Sequence, residues 1–211
     1  MISYGTRWSG KPFSLPKTCL SKRQLLVLAL IFMPQKINLS YMTFEYEHLL
    51  PTDFSPSSRV WVYQSSRLLT ISEALTIEDL LQEFLANWKS HGAPVKGFAN
   101  LFFGQFLIIM ADESMVKVGG CSTDSSVHLV QQIEALCKVA MFDRQNLAFV
   151  IKNKVEILPL PQLNYAIQNN FVEPNTLYFN NLVDTKQALL TEWIIPAKQS
   201  WLGKKFKSVT I

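Results

Sequence analysis

Gly119-Gly120-Cys121 leads directly into Ser122, Thr123, Asp124, Ser125 and Ser126, five small oxygen-bearing side chains in a row. Three chemistries fit this stretch. A cysteine just ahead of a helix has its thiolate favoured by the helix dipole, so Cys121 is a candidate nucleophile. Paired glycines at a helix start let main-chain N–H groups approach an anion closely. Ser, Thr and Asp are also the residue types that cap a helix N-terminus, each oxygen accepting from a free N–H. One cap satisfies the helix, and the surplus oxygens are then free for a ligand.

A cysteine enzyme needs a base as well. His128 lies seven residues after Cys121, about two helical turns or ~10 Å along an axis, beyond direct hydrogen bonding. His91 and His48 show no ligand spacing to it or to each other. Asp112, at the end of a strand-like run, is the remaining candidate acid or base, with Glu113 beside it. The candidate catalytic residues are thus Cys121 and Asp112. The candidate binding residues are Gly119, Gly120, Cys121, Ser122, Thr123, Asp124, Ser125 and Ser126.

Other chemistries are excluded by spacing. A phosphate-binding loop needs Gly-x4-Gly-Lys-Ser/Thr, and neither Gly97–Gly104 nor "LGKKF" (202–206) supplies it. No GxGxxG, HExxH, GxSxG or EF-hand loop is present. Cys19, Cys121 and Cys137 form no CxxC pair and no Cys/His ligand pattern, so no metal and no cofactor are expected. Without a complete catalytic set, the residues favour a binding or interaction module over an enzyme, taking a small anion or a protein partner.

The elements that position this stretch follow from hydrophobic periodicity. "RVWVYQ" (59–64) reads as a strand buried on both faces. Residues 70–92 read as a helix, with Ile77, Leu80, Leu81, Phe84, Leu85 and Trp88 as one apolar stripe. Thr70 and Glu73 suit a capping box, and Gly92 suits a C-terminal stop. "GFANLFF" (97–103) and "QFLIIMA" (105–111) form a hairpin around Gly104. Ser125 to Ala140 reads as the second helix, and residues 146–153 and 154–160 as strands joined by an Asn-Lys turn. "FDR" (142–144) suggests an Asp143–Arg144 pair between the helix and the next strand.

The order from 59 to 153 is β-α-β-β-α-β. It predicts an α+β fold, a ferredoxin-like two-layer sandwich with two helices on one face of an antiparallel sheet. Residues 154–211 read as a small C-terminal β-α-β extension packed on that core: a short helix from Pro161 stopped by Asn169-Asn170, a strand at 176–181, and a helix at 185–195 ended by Pro196. Trp61, Trp88, Trp193 and Trp201 read as packing anchors.

Charge divides the chain. Residues 1–41 carry six basic side chains and no acid, whereas 42–211 carry 14 basic and 16 acidic ones. The pI of about 8.9 therefore belongs to the N-terminal segment, and the mildly acidic remainder offers no stripe for nucleic acid. Lys204, Lys205 and Lys207 read as a solvated tail. "LLVLALIFM" (25–33) is too short to cross a bilayer, which needs about 20 residues. Residues 1–41 read as an extension outside the fold, and three origins stay open: a signal or anchoring segment, an organelle leader, or upstream sequence ahead of a start at Met42. The domain reading is 1–41 extension, 42–153 core, 154–211 C-terminal extension. Scattered cysteines and no membrane span within 42–211 point to the cytoplasm, unless 1–41 targets or anchors the chain.

"RVWVYQSSR", "FLIIMADES", "GGCSTDSSVH", "MFDR", "FNNLV" and "PAKQSW" together resemble a family of small bacterial proteins labelled "ABC transporter ATPase". The resemblance covers roughly 42–206, with "GCSTDSSV" its most specific segment. It implies a start near Met42 and, by the label, an ATPase associated with ABC transport. It supplies no catalytic residue for this chain.

Overall fold

A computed structural model describes residues 44–209, the side chains of 208 and 209 excepted. The expectations for 1–41, with Cys19 and Met42, lie outside the described residues. The elements run β1 (Arg59–Gln64), α1 (Ile71–Asn87), a small hairpin of β2 (Lys89–Ser90) and β3 (Ala93–Pro94), β4 (Lys96–Phe102), β5 (Phe106–Asp112), α2 (Gly120–Cys137), β6 (Asn146–Ile151), β7 (Lys154–Pro159), α3 (Leu163–Gln168), β8 (Leu177–Phe179), α4 (Lys186–Glu192), β9 (Ile194–Pro196) and α5 (Gly203–Val209).

The chain is mixed α+β, built from antiparallel sheets. Three strands in the order β1-β5-β4 make the first sheet, and four in the order β7-β6-β8-β9 make the second. Side chains alternate across each strand, so each sheet has two faces to cover. On β5, Leu107, Ile109 and Ala111 join Ile77 and Leu81 of α1 and Val130 and Ile133 of α2. Phe106, Ile108 and Met110 face the other way and join Ala148 of β6, Phe179 of β8 and Trp193. The far face of the second sheet, with Leu147, Phe149 and Tyr178, is covered by Leu163 and Ala166 of α3 and Leu202 and Phe206 around α5. The result is four layers: helices, sheet, sheet, helices.

This corrects the ferredoxin-like expectation. Three of its four strands take the expected relation, with α1 crossing from β1 to β4 and β5 lying between them. The fourth, β6, joins the second sheet instead, pairing with β7 from Asn146↔Pro159 to Ile151↔Lys154 and with β8 at Phe149↔Tyr178. The cause is β5, buried at all seven positions. A two-layer sandwich leaves Phe106, Ile108 and Met110 in water, and full burial of one such side chain is worth about 1.5–3 kcal/mol. The turn joining β6 and β7 contains Asn153, so the expected division at 153/154 falls within a continuous hairpin.

Local expectations fare better. The Thr70–Glu73 capping box is present, with the Glu73 N–H donating to Thr70 Oγ1 at 3.3 Å and the Thr70 N–H donating to Glu73 Oε2 at 2.7 Å. The 97–111 hairpin pairs from Lys96↔Asp112 to Phe102↔Phe106. Asn170 takes the left-handed conformation after α3. Others are corrected. Gly92 does not stop α1, which ends at Asn87; His91 (φ 50°) and Gly92 (φ 83°) form the tight two-residue turn of the β2–β3 hairpin. Ile194–Pro196 is a strand on β8, not the end of a helix. The C-terminal lysines are exposed, as expected of a solvated segment, but they sit on α5, which docks through Phe206, rather than on a tail. Asp143 accepts from the Gln145 N–H and Asn146 Nδ2 and makes no ion pair with Arg144. No described helix is long and apolar enough to cross a membrane.

Candidate functional site

The stretch 119–126 is not a loop. Gly119 occupies the N-cap position with extended backbone and no side-chain cap, and the first helical bond runs from the Thr123 N–H to the Gly119 carbonyl at 3.1 Å. Ser122, Thr123, Ser125 and Ser126 therefore lie in the first two turns of α2, and none of them is the cap. Their hydroxyls donate instead. Thr123 Oγ1 bonds the Gly119 carbonyl at 3.2 Å, Ser125 Oγ the Cys121 carbonyl at 2.9 Å and Ser126 Oγ the Thr123 carbonyl at 2.7 Å. This is the back-bonding that Ser and Thr adopt within helices. Ser122 Oγ reaches across to the Lys89 carbonyl at 3.0 Å. Asp124 is exposed on the second turn, past the first turn in which the helix dipole favours a carboxylate.

The β2–β3 hairpin holds this helix start. Ser90 Oγ donates to the Lys117 carbonyl at 2.7 Å and accepts from the Gly119 N–H at 3.3 Å. Trp88 Nε1 donates to the Ser122 carbonyl at 3.0 Å. Glu113 Oε1 accepts from the Val118 N–H at 2.9 Å, so Glu113 shapes the approach to the helix. His91 lies against Gly119: a Cβ there would stand 2.9 Å from His91 Nε2 and would displace the exposed imidazole. The N–H groups of Gly120, Cys121 and Ser122 have no intrahelical acceptor at this end and no side-chain cap.

Cys121 is exposed on the first turn, and no hydrogen bond among the described residues reaches its thiol. His128 faces a groove between α1 and α2. Cys137 is buried at the far end of α2, where burial pushes its thiol up and Glu73 adds to the rise.

Asp112 is turned away from this region. Its carboxylate accepts from the Ser114 N–H at 3.1 Å, the Ser55 N–H at 3.4 Å and Lys96 Nζ at 3.1 Å. Lys96 also pairs with Asp53 at 3.0 Å and lies over the Phe54 ring, so Asp112 fastens the 53–55 segment to the first sheet. Burial pushes the Asp112 carboxyl up, but the bonds from Ser114, Lys96 and Ser55 outweigh it and hold it at about 2. A value depressed in the fold means stability that is full above the unfolded value and lost as pH falls through the folded one. With Lys96 partly in water, the expected size is about 1–2 kcal/mol. Urea melts of wild type and Asp112→Asn between pH 7 and pH 2 check this. The gap between them is widest at pH 5–7 and closes toward pH 2; a constant gap contradicts the assignment.

Beside the first turns of α2 lies an open groove of about 530 Å³ between α1 and α2. Its floor is Leu80, Phe84, Trp88 and Leu129, and its rim is Glu83, Asn87, Lys89, Ser125, His128 and Gln132. The apolar stripe of α1 was legible in the sequence, but as core. That Leu80 and Phe84 stay half-buried follows from where α2 crosses, which no local pattern encodes. Among the described residues no three His, Cys, Asp or Glu side chains are grouped to hold a metal ion. No family model, curated protein or solved structure matches the chain.

Proposed function

We propose that this chain is a binding module acting in the cytoplasm, and that its ligand lies in the α1–α2 groove with an anionic group directed at the first turn of α2. The observation that carries this reading is the groove itself: an apolar floor, a polar rim of mixed charge that includes both Lys89 and Glu83, and an uncapped helix N-terminus one turn from Ser125. Its volume is that of a small-molecule site, in which apolar walls supply affinity and a few polar groups fix orientation. Lys89 and the free N–H groups supply the positive potential, and the Ser122, Thr123, Ser125 and Ser126 hydroxyls stiffen the turn through their carbonyl bonds.

Calorimetric titration with inorganic phosphate, benzoate, phenyl phosphate and ATP tests the proposal. Phenyl phosphate binds more tightly than phosphate, because it fills the apolar floor as well. The double variant Lys89→Ala/His128→Ala weakens it about tenfold, the loss of roughly 1.4 kcal/mol. Silence with every ligand, or a variant that binds as wild type does, overturns the reading. So does turnover of ATP, which is what the resemblance to ATPase-labelled proteins implies.

A further inference from the structure

The absence of β6 from the first sheet leaves β1 at its edge, and the edge is only partly covered. At one end the 184–186 segment pairs with it: the Val60 N–H donates to the Asp184 carbonyl at 2.8 Å, and the Lys186 N–H to the Ser58 carbonyl at 2.9 Å. At the other end Gln64 closes it, donating through Nε2 to the Asn146 carbonyl at 3.1 Å and accepting from Asn181 Nδ2 at 2.8 Å. Between these closures the edge is open. In an antiparallel ladder successive residues bond alternately to either side. Val60 bonds outward, so Val62 also turns its N–H and C=O outward, and among the described residues no hydrogen bond reaches them. Val62 is 6% exposed, so these groups lie at the bottom of a cleft. An unpaired main-chain pair at such depth is costly and calls for an amide partner.

The cleft has one more unmatched group. Arg144 lines both halves of it and forms no ion pair among the described residues, while Asp143 lines one half and Glu113 and Asp184 the other. Its rim carries Phe142, Leu182 and Trp201, three apolar side chains left exposed at 39%, 62% and 41%. Unlike the α1–α2 groove, this slot joins the two sheets, and it stands independently of that reading.

We propose that this slot captures the carboxyl-terminal end of a peptide chain. The open edge spans residues 61–63, about 10 Å at ~3.3 Å per residue, which admits two or three residues and no through-running strand. The last amide pairs with Val62, the apolar side chain lies against Leu182 and Trp201, and the terminal carboxylate meets Arg144. This is strand addition combined with carboxylate capture.

The test uses fluorescence-labelled Gly-Leu-Phe as free acid and as C-terminal amide, and the same three residues at the end of a folded carrier protein. The free acid binds at least tenfold more tightly than the amide, and Arg144→Ala, an exposed position, removes that difference while the fold is retained. Binding of the carrier identifies a protein chain end as the source, and binding of the free tripeptide alone identifies a small peptide; both support the slot. Equal affinity of acid and amide, no binding of either, or a preference that survives Arg144→Ala overturns it.

Discussion

Replacing Trp193 with alanine destabilises the protein by about 3–5 kcal/mol, seen as a lowered urea midpoint with the folded baseline preserved. Trp193 is fully buried between the two sheets. Its ring meets Tyr46 at 4.7 Å, Phe106 and Phe179 at 5.6 Å and Phe103 at 5.8 Å. Such ring pairs add roughly 0.5–1.5 kcal/mol each beyond the burial of area. Nε1 donates to Asn181 Oδ1 at 3.1 Å, and Asn181 in turn holds Gln64. The truncation therefore opens a cavity and releases the side-chain bridge that ties β1 to the second sheet. Trp201→Ala is the control: Trp201 is partly exposed, and its loss costs under about 1 kcal/mol. A comparable small loss at Trp193 contradicts the face-to-face packing of the sheets.

Gly97→Ala costs about 1–3 kcal/mol and weakens phenyl phosphate binding about tenfold. A Cβ at 97 would come within 2.6 Å of Trp88 Cε3 and 3.0 Å of Leu85 Cδ2. Trp88 has nowhere to move. It is tied by Nε1 to the Ser122 carbonyl and packs against Phe84 at 4.9 Å and Trp61 at 6.3 Å. Any displacement shifts the floor of the groove and the first turn of α2 together. Gly120→Ala is the contrast, since nothing stands within 4 Å of its Cβ position. That change is neutral or stabilising by up to about 1 kcal/mol. Denaturation and titration of both variants separate a packing effect at 97 from a general effect of replacing glycine.

The parts legible in the sequence were those decided within a few residues. The stripe of α1, its Thr70–Glu73 box and the hairpin at Gly104 depend on local spacing, and each forms. The start of α2 lies at Gly120 instead of Ser125 because the same residues serve two local solutions. Ser122, Thr123 and Ser125 cap a helix when they precede it and donate to its carbonyls when they lie inside it. The choice was made by the β2–β3 hairpin, where Ser90 receives the Gly119 N–H and Lys89 receives the Ser122 hydroxyl. That hairpin was itself hidden, because Gly92 looked like the end of α1. The second sheet was half legible. Strand β1 read as covered on both faces, which already required a further layer, but nothing local said that β6 would supply it. Ile194–Pro196 became a strand because β8 offers an edge at Tyr178↔Ile195, a tertiary contact overriding local preference.

Nitrogen–proton correlation spectra recorded during titration with phenyl phosphate test the central claim most directly. The account predicts saturable shifts at the main-chain amides of Gly120, Cys121 and Ser122, together with Lys89, His128 and the Trp88 indole N–H. Spectra that do not change, or shifts confined to residues away from the α1–α2 groove, contradict it.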